Sequence, residues 1–244
     1  MEKWLKRISG KELKLFSIFS MILLFGVAVF IGNFTRLAEG IWLIIVSRDA
    51  LITDYFELAG YGAAFLNAAL VMGISIFFII TEKIPFTGLT VAALFMNAGY
   101  GLWGKNPVNI LPVILGTALY ARLHKTKLNR YIYTALFGTC LAPLITELVF
   151  LFPFSRPVNL VLAAAIGIAI GFILPPLSIH TASMHMGYNL FNVGFSGGIL
   201  AFIMVSLLRA FGMESDSVMI WKSGQSVKIG AGLFFYFFIT RSLW

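Results

Sequence analysis

Met96-Asn97-Ala98-Gly99-Tyr100-Gly101-Leu102-Trp103 interrupts a long apolar part of the sequence, and a similar run, Met184-His185-Met186-Gly187-Tyr188-Asn189-Leu190-Phe191, follows 88 residues later. Both runs are too polar and too rich in glycine for a helix that faces lipid. In a membrane protein, paired interruptions of this kind indicate a substrate pathway. We therefore expect passage of a solute, although the pattern does not name it.

The composition indicates an integral membrane protein. The chain has 244 residues, of which 59% are hydrophobic and 11% charged, and its mean hydropathy is +0.93. Soluble domains average about 25% charged residues, so a soluble fold is excluded. The formal net charge is +8, but the basic residues lie between apolar runs, as expected for topology signals and lipid contacts rather than for nucleic acid. The single cysteine, Cys140, excludes an intrachain disulfide.

The pattern of apolar runs predicts an all-α, polytopic transmembrane helix bundle of about 8–9 membrane segments, because a span needs about 20 residues. The clear runs are 15–34, 58–80, 107–121, 131–152, 158–175, 194–211 and 227–241. The mixed stretch 36–57 fits an interfacial helix or an ordinary loop equally well. The two segments with the repeated run, 84–103 and 177–193, are each a broken helix that spans or a re-entrant hairpin.

Charge bias favours the spanning alternative, with nine crossings and a cytoplasmic N terminus. Residues 1–14 form a basic cytoplasmic N terminus, and residues 15–244 form one transmembrane domain. In this arrangement the C terminus is outside. Five of the 18 Lys and Arg residues then face outward, namely Arg36, Arg48, Lys105, Arg156 and Arg241.

An internal repeat is a further prediction. At an offset of 88, six residues have identical partners: Leu89, Met96, Gly99, Tyr100, Leu102 and Leu119 match Leu177, Met184, Gly187, Tyr188, Leu190 and Leu207. The candidate repeats cover about 58–122 and 158–211. Chance matching between apolar sequences is the alternative, because they use few residue types.

Polar residues around the two interruptions are the candidate binding or pathway residues, because irregular backbone within a membrane must find hydrogen-bond partners or line a watery cavity. For each one taken singly, helix packing is the stronger interpretation. The set comprises Asn97, Gly99, Tyr100, Asn106, Asn109, His185, Gly187, Tyr188, Asn189 and Asn192. Lys105 is either an interfacial loop lysine or an anion-attracting residue beside the helix that starts at Pro107.

Two further residues, Glu147 and His180, are candidates for proton coupling. Glu147 is a carboxylate deep in an apolar run, which is a functional-site hypothesis by default, although it could also reach the interface. His180 and His185 lie on different faces of a helix, which is a poor arrangement for a metal pair. We therefore predict no metal site, no cofactor and no catalytic residue. No nucleotide-binding or nucleophile motif appears in the sequence.

A resemblance rests on the run Asn97 to Pro107, followed by Ile110-Leu111-Pro112-Val113, and on the later run His180 to Asn189. These runs resemble the domain of unknown function 1576 family of bacterial multi-pass membrane proteins, over about residues 13–212. The family implies no activity and no site residues. Its members are usually longer, with two copies of a membrane region where this chain has one. Either two chains assemble, or this chain is a shortened product.

These sequence features are compatible with three function classes. The leading one is a secondary transporter or channel for a small polar solute. The second is a membrane-embedded enzyme that uses His180, His185 and Glu147, and an enzyme is the less favoured class. The third is a non-transporting scaffold or accessory subunit. The expected partners are the lipid bilayer of the cell membrane, a small-molecule or ion substrate and a second copy of the chain, with no nucleic acid.

Overall fold

The computed structural model describes residues 9–49, 52–189, 191–214, 219–221, 223–224 and 226–242. Leu190 of the proposed repeat and the basic residues Lys3, Lys6, Arg7 and Lys222 lie outside this described part. The fold is all-α. The helices are α1 Gly10–Ile31, α2 Phe34–Val46, α3 Tyr55–Leu58, α4 Gly60–Thr81, α5 Gly88–Tyr100, α6 Leu111–Leu123, α7 Ile132–Gly138, α8 Ala142–Leu151, α9 Arg156–His185, α10 Asn192–Ala210 and α11 Ser226–Ser242.

Among the residues that the structure describes, five helical segments are long and apolar enough to cross a membrane. They are α1, α4, α9, α10 and the continuous segment Leu128–Leu151, in which 3-10 turns join α7 and α8. Three shorter apolar helices accompany them: Gly88–Tyr100, Leu111–Leu123 and Ile229–Thr240. A multi-pass integral membrane protein is the class that such segments indicate.

One end of the bundle, here called the basic end, is where α1 begins, α4 ends and α7 begins. A Cβ placed on Gly10 would lie 3.0 Å from the carbonyl oxygen of Phe86, just after α4. Ile132 packs in one cluster with Ile79 and Phe86. Lys83 and the exposed basic loop after α6 therefore lie at this end. Helices α1 and α4 run in opposite directions between it and the opposite end.

Helices α5 and α6 form a hairpin that enters the bundle from the basic end and returns to it. α5 starts shortly after α4 and ends beside the first half of α4, where a Cβ on Gly101 would lie 2.8 Å from the Cα of Ala68. α6 then runs back, with Ile110 and Ile114 packed on Val71 near its start. The sequence favoured two separate spans at 84–103 and 107–121. The structure instead has two half-length helices that share one end.

Helix α9 is continuous where the sequence predicted separate segments at 158–175 and 177–193. It runs over 30 residues despite Pro175 and Pro176 inside it. Pro175 has no N–H, so the carbonyl of Gly171 loses its partner within the helix. The hydroxyl of Thr117 in α6 donates to that carbonyl at 2.9 Å. Helices α6 and α9 approach closely at this point, and only glycine fits at position 171, because a Cβ there would lie 2.1 Å from the carbonyl oxygen of Val113.

The last two helices run in opposite directions beside this core. α10 begins next to α9, where the side-chain amide of Asn192 donates to the carbonyl of Ser178 at 2.6 Å. It ends at the opposite end, where Leu208 packs in a cluster with Leu148. α11 returns toward the basic end, and the hydroxyls of Tyr236 and Ser20 lie 2.8 Å apart.

The opposite end is covered by short elements. Helix α2 crosses the start of α4, where a Cβ on Gly40 would lie 2.4 Å from the Cβ of Ala63. The stretch that fitted an interfacial helix or a loop is therefore helical in its first part. Strands β1 (Ile52–Thr53) and β2 (Met219–Ile220) pair in parallel over two residues each.

Candidate functional site

The tip of the α5–α6 hairpin, residues 101–110, is a polar loop inside the bundle. Gly104 has φ +81°, a left-handed conformation that glycine adopts without strain. Asn106 and Asn109 close the loop on itself, because Asn106 Oδ1 accepts from the N–H of Val108 and of Asn109, each at 2.9 Å. Asn109 Oδ1 accepts from the N–H of Asn106 at 2.8 Å. These bonds satisfy backbone groups that lipid would leave unpaired.

Helix α4 fastens the tip from outside. Asn67 is fully buried, and its side-chain amide donates to the carbonyl oxygens of Gly101 at 2.6 Å and Lys105 at 2.7 Å. Sequence reasoning missed this residue. The available signal was a lone asparagine in the apolar run of the second span.

Lys105 is the buried amine of this tip, with 2% of its surface exposed, and burial lowers its pKa from 10.5 to about 7. Its ammonium donates to Asn97 Oδ1 at 2.7 Å and to Thr139 Oγ1 at 2.8 Å. It also lies 4.9 Å from the ring centre of Tyr100. All three partners are uncharged. Lys105 is therefore a buried residue of the hairpin tip, because the hairpin carries it into the bundle.

Asp49 approaches the same tip from the loop after α2, outside the membrane-spanning segments. It is 3% exposed. Its Oδ1 accepts from the hydroxyl of Tyr55 at 2.9 Å, and its Oδ2 accepts from Asn109 Nδ2 at 3.4 Å. Burial raises the pKa of Asp49 from its ordinary value to about 7, and Glu147 nearby adds to the rise. Sequence reasoning missed Asp49, which looked like one of several charges around a surface helix.

Glu147 forms an ion pair with Arg48, the residue before Asp49. Arg48 Nη2 donates to Glu147 Oε1 at 2.6 Å, and its Nε lies 2.9 Å from both carboxylate oxygens. The side chains are 28% and 9% exposed for Arg48 and Glu147. Thr146, next to Glu147, accepts from Asn109 Nδ2 at 2.9 Å. The predicted proton-coupling carboxylate is therefore a neighbour of the hairpin tip and is held by an arginine.

The second interruption forms a different structure. His185 Nε2 lies 2.8 Å from Asn192 Oδ1, which also accepts from the hydroxyl of Thr181 at 2.8 Å. Asn189 Oδ1 accepts from the N–H of Phe191 at 2.9 Å. These contacts join the end of α9 to the start of α10. His180 is exposed in the last turns of α9.

The equivalent tyrosines of the two interruptions differ in exposure, and the equivalent glycines differ in backbone conformation. Tyr188 is 93% exposed, whereas Tyr100 is 44% exposed and lies over the Lys105 ammonium. Gly99 and Gly187 have no atom within 4 Å of an added Cβ, and only Gly187 has a positive φ, +88°. The structure gives the internal repeat no support, because Gly99 and Tyr100 lie in α5 whereas Gly187 and Tyr188 lie in the turn after α9.

The structure therefore brings part of the predicted set together. Asn97, Asn106 and Asn109 share one buried cluster with Lys105, Asp49 and Asn67, which we call the tip cluster. His185, Asn189 and Asn192 form a second group at the α9–α10 junction. Among the described residues, no group of three or more His, Cys, Asp or Glu side chains is arranged to hold a metal ion.

Two surface grooves lie outside the tip cluster. One, of about 440 Å³, lies between α1 and α4 and is lined by apolar side chains with Gly73. The other, of about 230 Å³, lies between α8 and α10 and includes Glu147, Arg209 and Glu214. Neither groove contains a residue of the two interrupted runs.

A family model matches residues 33–210, from α2 to the end of α10, and it is described as protein of unknown function (DUF1576). The chain belongs to this family. The match includes the tip cluster, the α9–α10 junction and the ion pair of Arg48 with Glu147. No curated protein and no solved structure matches the chain. The DUF1576 family brings no activity with it, so the geometry of the tip cluster carries the functional argument.

Proposed function

We propose that the chain is a secondary transporter or channel for a small polar solute, with its pathway at the tip cluster. The observation that carries the proposal is the 2% exposure of Lys105, whose ammonium has only uncharged partners among the described residues. A charged side chain within a membrane domain is costly and marks a solute or ion pathway by default.

The length of the hairpin supports this location. α5 and α6 have 13 residues each, so each is about 20 Å long at 1.5 Å per residue. The hydrocarbon core of a bilayer is about 30 Å thick. A hairpin of this length that enters from one face would place its tip inside the membrane, where irregular backbone is tolerated only if it is buried in protein or lines a solute pathway.

The backbone of the tip does not need the lysine side chain. Asn67, Asn106 and Asn109 already supply partners for the carbonyls and N–H groups of the loop. The ammonium of Lys105 bonds to side chains instead. Backbone hydrogen bonding therefore accounts for these three asparagines, whereas the side chain of Lys105 is available for solute binding.

We also propose that the basic end faces the cytoplasm, with the N terminus. The described basic residues at that end are Lys11, Lys14, Lys83, Arg122, Lys125, Lys127 and Arg130. Those toward the opposite end are Arg36, Arg48, Arg156 and Arg209. The excess at the basic end fits the positive-inside rule. Because α5 and α6 together return to the basic end, α11 also runs toward that end. The C terminus is then cytoplasmic as well.

The enzyme alternative gains no support from these contacts. Glu147 bonds to Arg48, while His185 bonds to Asn192 in another part of the bundle. The scaffold alternative is an outcome of the following test.

Uptake by proteoliposomes tests the proposal, using a panel of radiolabelled small anions, cations and neutral polar solutes. Wild type should take up at least one of them. Lys105→Met should lower that uptake by roughly 10–100-fold, the equivalent of a charge-assisted hydrogen bond. Lys83→Met is the matched control, because Lys83 is exposed at the basic end, and it should transport like wild type. Equal uptake by Lys105→Met, or no uptake of any solute, would contradict the proposal and favour a scaffold.

A further inference from the structure

We infer that the solute is a small anion, a carboxylate or an inorganic anion, which binds at the tip cluster as the counter-ion of Lys105. This inference rests on the proposed transport function and narrows it to a substrate class. Its basis is the excess of buried hydrogen-bond donors and positive charge around Lys105 and Asn97.

Two acidic residues near the tip have partners other than Lys105. Asp49 accepts from Tyr55 and Asn109, and Glu147 is paired with Arg48. Lys105 has the side chains of Asn97, Thr139 and Tyr100 instead. Taking an ammonium out of water costs several kcal/mol unless an opposite charge compensates it. A mobile anion supplies that charge when the site is in use.

Asn97 adds an unused donor at the same point. It is 2% exposed, and its Nδ2 has no hydrogen-bond partner. Its Oδ1 is occupied, since it accepts from Lys105 Nζ at 2.7 Å and from the Thr139 hydroxyl at 3.0 Å. Turning the amide over would face its NH2 group to the ammonium, donor against donor, so the orientation is determined by Lys105. The free NH2 group is thus a fixed feature of the site.

An anion matches this set of groups because it has acceptors only. It would accept from Asn97 Nδ2 and from the ammonium hydrogen of Lys105 that neither Asn97 Oδ1 nor Thr139 engages. A cation would be repelled, and a neutral solute would leave the charge uncompensated. On one side the ammonium faces Tyr100, whose ring centre lies 4.9 Å away and whose surface is 44% exposed. The close fit around Lys105 selects a small ion.

The test uses the purified full-length chain in detergent and measures thermal unfolding with sodium chloride, acetate or phosphate. Sodium gluconate at equal ionic strength is the reference for a bulky anion. Wild type and Lys105→Arg should show a saturable rise in Tm with at least one small anion, because a ligand that binds the folded state stabilises it. Lys105→Met should fold and show no such rise, and Lys83→Met should behave like wild type.

Asn97→Asp is the decisive second variant. It puts a carboxylate 2.7 Å from the ammonium, in place of Asn97 Oδ1, and so builds the counter-ion into the protein. It should raise Tm in gluconate and abolish the response to small anions. An equal anion response in wild type, Lys105→Met and Asn97→Asp would overturn the inference, as would no response in wild type.

The native cysteine provides a local readout that does not depend on stability. Cys140 is the only cysteine and directly follows Thr139. The ratio of its alkylation rates with iodoacetate and iodoacetamide should fall roughly tenfold in Lys105→Met, since only iodoacetate carries a charge that the ammonium attracts. An unchanged ratio would overturn the inference.

Uptake separates the two proposals. If a neutral solute or a cation crosses in a Lys105-dependent way and small anions show neither effect, transport stands and the anion class is wrong. If anions bind by both readouts and no solute crosses, the anion site stands and the transport proposal is wrong.

Discussion

Replacing Asp49 by asparagine should change the pH dependence of stability in a way that isolates one buried carboxyl. Asp49 is 3% exposed and accepts from Tyr55 and Asn109, with Glu147 and Arg48 close by. Burial raises its pKa from 3.8 to about 7. The folded state therefore holds this proton more tightly than the unfolded state, and stability falls as pH rises from about 4 to 7.

The size of the effect follows from the shift in the pKa of Asp49. One pKa unit corresponds to about 1.4 kcal/mol. From pH 5 upward the unfolded chain is already ionised at Asp49, whereas the folded protein keeps the proton up to its pKa of about 7. Stability therefore falls over about two pH units within the range from pH 5 to pH 8. Wild type should thus lose about 3 kcal/mol from Asp49 over this range, and Asp49→Asn should lose none of it.

Thermal unfolding in detergent at pH 5 and pH 8 measures this difference. Relative to wild type, the Tm of Asp49→Asn should be higher at pH 8 than at pH 5 by roughly 5–10 °C, using the usual scaling for chains of this size. Glu57→Gln is the matched control, because Glu57 is an exposed carboxylate in neighbouring α3. A Tm difference between Asp49→Asn and wild type that is the same at both pH values would refute the reasoning.

Three further predictions concern topology and packing. In a cysteine-free background, Arg209→Cys should react with an impermeant maleimide from outside intact cells, because α10 ends at the opposite end from the basic residues; the nine-crossing arrangement requires labelling only after permeabilisation. Thr117→Val should destabilise by about 1–2 kcal/mol in chemical unfolding, because a carbonyl inside α9 loses its donor, and no change would show that the carbonyl finds another partner. Arg48→Met should lower the free energy of unfolding by about 1–3 kcal/mol, and adding Glu147→Gln should recover most of it, since the loss is mainly an unpaired carboxylate; strictly additive losses would contradict the pairing.

The hairpin shows where sequence reasoning reaches its limit. The sequence located a polar interruption around Asn97 and Asn109 ahead of a short apolar helix, and the structure has these residues at the end of α5 and in the loop before α6. Run length carries no information on direction, however. Whether α6 continues across the membrane or turns back depends on contacts with α4, such as those of Asn67, which lies 38 residues before Lys105.

Some residues of the tip cluster could be predicted from the sequence and others could not. Asn97, Asn106 and Asn109 were found because they stand out in an apolar region. Asn67 and Asp49 were missed because each lies far along the chain from Lys105 and is brought beside the tip only by folding. The internal repeat stays a prediction without support. Six identities between apolar runs are weak evidence, and the partners lie in unlike surroundings.

The sequence alone determined that this chain is a multi-pass helical membrane protein, because burying about 20 apolar residues in succession is a local requirement of the bilayer. It also determined the DUF1576 relationship and the position of the first polar interruption. Only the tertiary structure decided that the interruption is the tip of a returning hairpin and that Lys105 is buried there. The cost of a charge and the pairing of its donors depend on neighbours distant in sequence, and folding alone brings those neighbours within hydrogen-bond distance.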